Sequence, residues 1–136
     1  MPVAYYFMNT ILQYAVIIVN IALISYTVAF VIMSREKKIT KLFLSMLTAG
    51  IFFDTSSVLL MVAGSPNNPL TPHGIIGYSA LIIMITEGVY FYRFTVKNGM
   101  GATLNSKKRH FFTSVYIYWI LAYLTGTVIV ILKYSK

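Results

Sequence analysis

Cysteine is absent from this chain of 136 residues. That excludes disulfides, thiolate-bound zinc, iron–sulfur clusters and covalently attached haem. Acid is nearly absent too: Glu36, Asp54 and Glu87 are the whole complement. Charged residues make up 10% of the chain, against roughly 25% in soluble domains. Histidine occurs twice and tryptophan once. No Walker loop, GxSxG elbow or HExxH is present. No base stands near a nucleophile as a catalytic triad requires, so soluble-style enzymology is not expected.

Apolar sequence fills the space. Hydrophobic residues make up 58%, and the mean hydropathy is +0.76. Four apolar stretches of about 20 residues can each span a bilayer. They lie at about 6–33, 42–64, 74–92 and 111–134. Only helices satisfy backbone polar groups within such single segments. The expected fold is all-α: one integral membrane domain over 1–136, an antiparallel four-helix transmembrane bundle. The first stretch is too long for a signal peptide and lacks a basic segment before it, so it is expected to stay in place.

The formal charge of +8 is placed for a membrane. Arg35, Lys37, Lys38 and Lys41 lie between spans one and two. Arg93, Lys97, Lys107, Lys108 and Arg109 lie between spans three and four. The middle connection, "SPNNPLTP", carries no charge. The positive-inside rule puts the basic connections in the cytoplasm and both termini outside. The implied location is the cytoplasmic membrane, multi-pass, with the lipid bilayer as partner and no nucleic acid. The last connection is longer and contains glycine, which favours mobility.

Ionisable groups at membrane depth are costly and usually functional. On span three, 100° per residue puts His73, Gly77, Ala80, Met84, Glu87 and Phe91 on one face. Glu87 is about 21 Å deeper than His73. Gly and Ala on such a face ordinarily receive a neighbouring helix. They would equally receive a flat macrocycle with His73 at its iron. Span one has a polar stripe, Asn9, Gln13, Asn20 and Thr27. Span two has Asp54 near mid-depth, with Gly50, Ser57 and Met61 on or near its face. These two stripes are expected to face each other, as interhelical hydrogen bonds or as a polar path.

His110 opens span four on the inner side, and His73 lies on the outer side, about 30 Å away across the hydrocarbon. The two cannot ligate one haem together in this topology. Outer candidates beside His73 are Met61 and Met8, because methionine serves as an axial ligand. Inner candidates near His110 are Glu87, Met46 and Met33. Two histidines on opposite sides form no compact multi-histidine metal site. Glu87 is expected to pair with His110 in an inner polar site.

"FFDTSSVLLM" (52–61), "PHGIIGYSALIIM" (72–84) and "RHFFTSVYIYWILAYLTG" (109–126) resemble landmarks of the small HsmA-type membrane proteins. Those are four-helix proteins of similar length whose histidine placement is similar to that of transmembrane cytochromes b. The resemblance covers spans two to four and marks Asp54, His73, Gly74, Gly77 and His110. This chain departs from it at Glu87, where the family tends to carry histidine. The resemblance implies haem b, with His73 and His110 as the metal-ligating candidates. It implies electron transfer or haem-based redox sensing, with a membrane redox partner or a quinone-type carrier, in a monomer or a homo-oligomer. Two other functions fit the residues. One is a small proton- or cation-coupled transporter using Asp54 and Glu87. The other is a non-catalytic accessory subunit of a larger membrane complex.

Overall fold

The computed structural model describes residues 3–64 and 72–134, with side chains described at 10, 11, 13–63 and 72–128. Met8 and Asn9, as side chains, lie outside the described residues. The chain is all-helical, in the order α1 (Val3–Glu36), α2 (Lys41–Gly64), α3 (Pro72–Asn98) and α4 (Ser106–Tyr134). Each contains a segment long and apolar enough to cross a membrane. The helices pack α1 on α2, α2 on α3, α3 on α4 and α4 back on α1.

The helices overrun the spans read from hydropathy. α3 continues through Arg93–Asn98, and α4 begins five residues before Phe111. The reason is that apolarity reports lipid, whereas helix ends are set by caps. The Thr40 hydroxyl accepts the Phe43 N–H at 3.0 Å and caps α2. Asn105 Oδ1 accepts the Lys108 N–H at 2.8 Å and caps α4. Gly99, at φ +90°, ends α3 in the left-handed region.

The two basic connections are stitched together rather than loose. Ile39 N–H donates to Ala102 O at 2.9 Å, and Gly101 N–H returns to Ile39 O at 2.7 Å. Leu104 N–H donates to Lys37 O at 3.1 Å. This short pairing tucks Ile39 and Leu104 into the core, near the mutually edge-on rings of Phe43, Phe91 and Phe112. It closes the basic end of the bundle with apolar side chains.

The distribution of polarity is the reverse of a soluble protein's. Ile24, Phe52, Leu59, Ile82 and Leu121 are exposed, while Asp54, Ser57 and Glu87 are buried. An apolar exterior with acids inside is what lipid as solvent selects. The α1/α2 contact depends on Gly50. A Cβ there would stand 2.5 Å from two carbons of the Tyr26 ring. That ring is fully buried and has no room to yield. Gly50→Ala is therefore expected to destabilise by about 2 kcal/mol. Unfolding in dodecyl sulfate mixed micelles measures it, and a wild-type midpoint would show that the ring can shift.

Candidate functional site

Asp54 stands 13 residues into α2, about 20 Å from Lys41 by helical rise. Gly64 at the other end is about 15 Å away, so Asp54 lies near the middle of a helix that spans a hydrocarbon layer of about 30 Å. Its side chain is buried, and its Oδ2 accepts two hydrogen bonds. Tyr26 Oη on α1 donates at 3.1 Å, and Trp119 Nε1 on α4 donates at 2.8 Å. The two rings meet edge to face, with centroids 4.8 Å apart. Three helices thus converge on one carboxyl oxygen. Both donors are neutral, and among the described residues no cation pairs with Asp54. The arrangement can hold a carboxylate without cancelling its charge.

Polar pairs flank this centre along the α1/α4 seam. Toward the termini, Tyr123 donates to Asn20 Oδ1, and its ring stacks on Trp119. Toward the basic end, the Thr27 and Tyr116 hydroxyls lie 2.9 Å apart. Tyr116, Trp119 and Tyr123 follow the i, i+3, i+7 spacing of one helix face. Ser57, one turn from Asp54, donates to the Ala15 carbonyl at 3.1 Å.

The expectation that the α1 and α2 stripes face each other is corrected. Asn20 and Thr27 address tyrosines of α4, and Gln13 is exposed. They lie 100° or more around α1 from Tyr26, the residue that meets α2's Asp54. Ser57 and Asp54 do reach α1, but through a backbone carbonyl and a tyrosine.

The second acid is also buried, and its partner is not His110. Lys108 Nζ lies 2.8 Å from Glu87 Oε1. The same ammonium sits 3.8 Å from the centroid of Tyr90 and 4.5 Å from that of Phe111. His110 is exposed. The reason is rotation: two residues turn a helix 200°, so Lys108 faces α3 and His110 faces away. Glu87 Oε2 has no hydrogen-bond partner among the described residues.

The residues read for haem binding are spread over all four helices. Met84 is fully buried in the apolar core, and Met61 is half-buried on α2. His73 Nδ1 lies 2.9 Å from Thr125 Oγ1. That hydroxyl already donates to the Ala122 carbonyl, so the imidazole is the donor and its Nε2 carries the lone pair. Nε2 lies against α4 at Gly126, where a Cβ would be 2.8 Å away. Gly77, one turn along α3, has nothing within 4 Å of a Cβ position. As they stand, these residues do not fit a haem. The Cε1–Nε2 edge of His73 lies against Gly126 of α4, and Met84 packs in the apolar core. Among the described residues, no three His, Cys, Asp or Glu side chains gather to hold a metal ion.

Sequence reasoning found the two buried acids and missed their partners, Tyr26, Trp119 and Lys108. A signal existed for Trp119. It is the sole tryptophan and lies mid-span, whereas a membrane tryptophan ordinarily belongs at the interface. Comparison with protein-family models, curated proteins and solved structures finds no match to this chain.

Proposed function

We propose that this chain is a small proton- or cation-coupled transporter of the cytoplasmic membrane, with Asp54 as its exchanging group. The observation that supports this reading is the mid-depth carboxyl held by Tyr26 and Trp119 with no cation paired to it among the described residues. An intramembrane acid that is neither neutralised nor exposed is a default functional site. The carboxylate takes up a proton from one side and releases it to the other. Tyr26 and Trp119 stabilise the anion by donation, and the flanking pairs, Asn20–Tyr123 and Thr27–Tyr116, supply polar groups on either side. Glu87, neutralised by Lys108, holds the basic end together in this reading. The basic connections face the cytoplasm and both termini face outward, following the positive-inside rule.

The test is proton flux into liposomes containing the purified protein and an internal pH dye, with valinomycin and potassium clamping the membrane potential. Wild type is expected to dissipate a pH gradient faster than empty liposomes, and Asp54→Asn at least tenfold more slowly than wild type. Flux equal to that of empty liposomes, or unchanged in Asp54→Asn, overturns the proposal.

Haem b at His73, serving electron transfer or redox sensing, is the competing proposal. The Nδ1–H donated to Thr125 favours it, because a second hydrogen bond of this kind orients a ligating imidazole. It requires the ring to swing away from Gly126. A reduced-minus-oxidised absorption spectrum with sharp haem bands that vanish in His73→Ala is its signature.

A further inference from the structure

Between α2 and α3 runs a groove of about 380 Å³ whose walls include Ile51, Ile85, Gly88 and Val89. Gly88 makes it: a Cβ there would stand 2.6 Å from Ile51 Cδ1, so its absence lets the two helices close over a smooth floor. The hydroxyls at the groove are already engaged. Thr48 Oγ1 donates to the Leu44 carbonyl and lies 2.8 Å from the Tyr92 hydroxyl. The floor therefore offers only apolar contact.

One end of the groove is different. Arg93 lines it, and Lys97 follows one turn later on the same face of α3. Across the groove, Lys41 lies two turns from Thr48 on the matching face of α2. All three cations are exposed, and none pairs with an acid among the described residues. Glu87, the nearby acid of α3, is committed to Lys108. An apolar channel that ends in unpaired cations at the level of the basic connections matches one kind of molecule, a chain with an anionic head.

We infer that this groove is a specific site for an anionic phospholipid, with one acyl chain along Ile51, Ile85 and Val89 and the phosphate at Arg93 and Lys97. Basic pockets between transmembrane helices recognise headgroups in this manner. The site occupies the leaflet that faces the basic connections. Ile51 of the groove lies about one turn from Asp54 on α2, and lipid binding there does not depend on transport.

The test uses the full chain in detergent, stripped of lipid, then offered dioleoyl phosphatidylglycerol and dioleoyl phosphatidylcholine in equal amounts. Native mass spectrometry counts bound lipid, and thermal unfolding reads stabilisation. Wild type is expected to retain phosphatidylglycerol at least tenfold over phosphatidylcholine, with a raised Tm. Arg93→Gln with Lys97→Gln, which alters exposed side chains only, is expected to remove the preference. Val89→Trp fills the groove and leaves the cations; it is expected to weaken retention of both lipids. Glycerol 3-phosphate, the head without the chains, is expected to give no stabilisation. Equal retention of the two lipids by wild type overturns the inference. So does a preference that survives the double substitution, or full stabilisation by glycerol 3-phosphate alone.

Discussion

Phenylalanine at both Tyr26 and Trp119 is expected to destabilise the protein by about 3–6 kcal/mol if Asp54 is charged and by about 1 kcal/mol if it holds a proton. The two substitutions remove both donors to Asp54 Oδ2 and leave the carboxyl buried at mid-depth. Interhelical hydrogen bonds between neutral groups in a membrane average only about 0.6 kcal/mol. Donors to an ionisable acceptor are stronger, at about 1.5–3 kcal/mol each in general, and losing them leaves a desolvated group without partners. The larger figure governs if Asp54 is charged and the smaller if it holds a proton, so the size of the effect reports its state. Adding Asp54→Leu to the double variant is expected to restore much of the loss, because leucine removes the stranded carboxyl and fills space vacated by the indole. Unfolding in dodecyl sulfate mixed micelles compares the three proteins. A double variant within 0.5 kcal/mol of wild type would mean that the two donors do not support the carboxyl.

The ion pair at the basic end should respond asymmetrically. Among the described residues, Lys108→Met removes the one partner of Glu87 Oε1, and Oε2 has none already. Glu87 is 2% exposed, so the stranded charge has no route to water, and the expected loss is about 3 kcal/mol. Glu87→Met is milder, at about 1 kcal/mol. The Lys108 side chain is 18% exposed, sits over Tyr90 and Phe111, and can extend its ammonium toward headgroups. The double substitution should lie nearer wild type than Lys108→Met alone, because burying two methionines strands no charge. A double-mutant cycle on unfolding midpoints measures this. Equal single losses, or a double loss equal to their sum, would show that the two side chains do not act as a pair.

What was legible in the sequence was what depends on composition along the chain. Four apolar runs gave four helices, because a membrane segment must satisfy its own backbone. Asp54 and Glu87 were singled out because acids are expensive there, and both are buried. What was not legible depends on how each helix turns about its axis. A small rotation decides whether Asn20 and Thr27 face α2 or α4, and apolar residues on every side of α1 leave no amphipathic face to fix it. The same uncertainty exchanged His110 for Lys108, which are two residues apart. Charge patterning misled as well: Lys108, within a run of basic residues, reads as a marker of topology, yet its long stem carries the ammonium back to Glu87. Met84 shows the opposite error. A methionine on a face of small residues reads as cofactor lining and packs in the apolar core.

The central claim is that Asp54 exchanges a proton while it stays inside the bundle. Infrared difference spectroscopy of the protein in lipid, stepped through pH, tests it most directly. The account predicts a carboxylic C=O stretch that appears and disappears reversibly with pH in wild type and is missing from Asp54→Asn. A band that persists in Asp54→Asn, or no reversible band at any pH at which the protein stays folded, would contradict it.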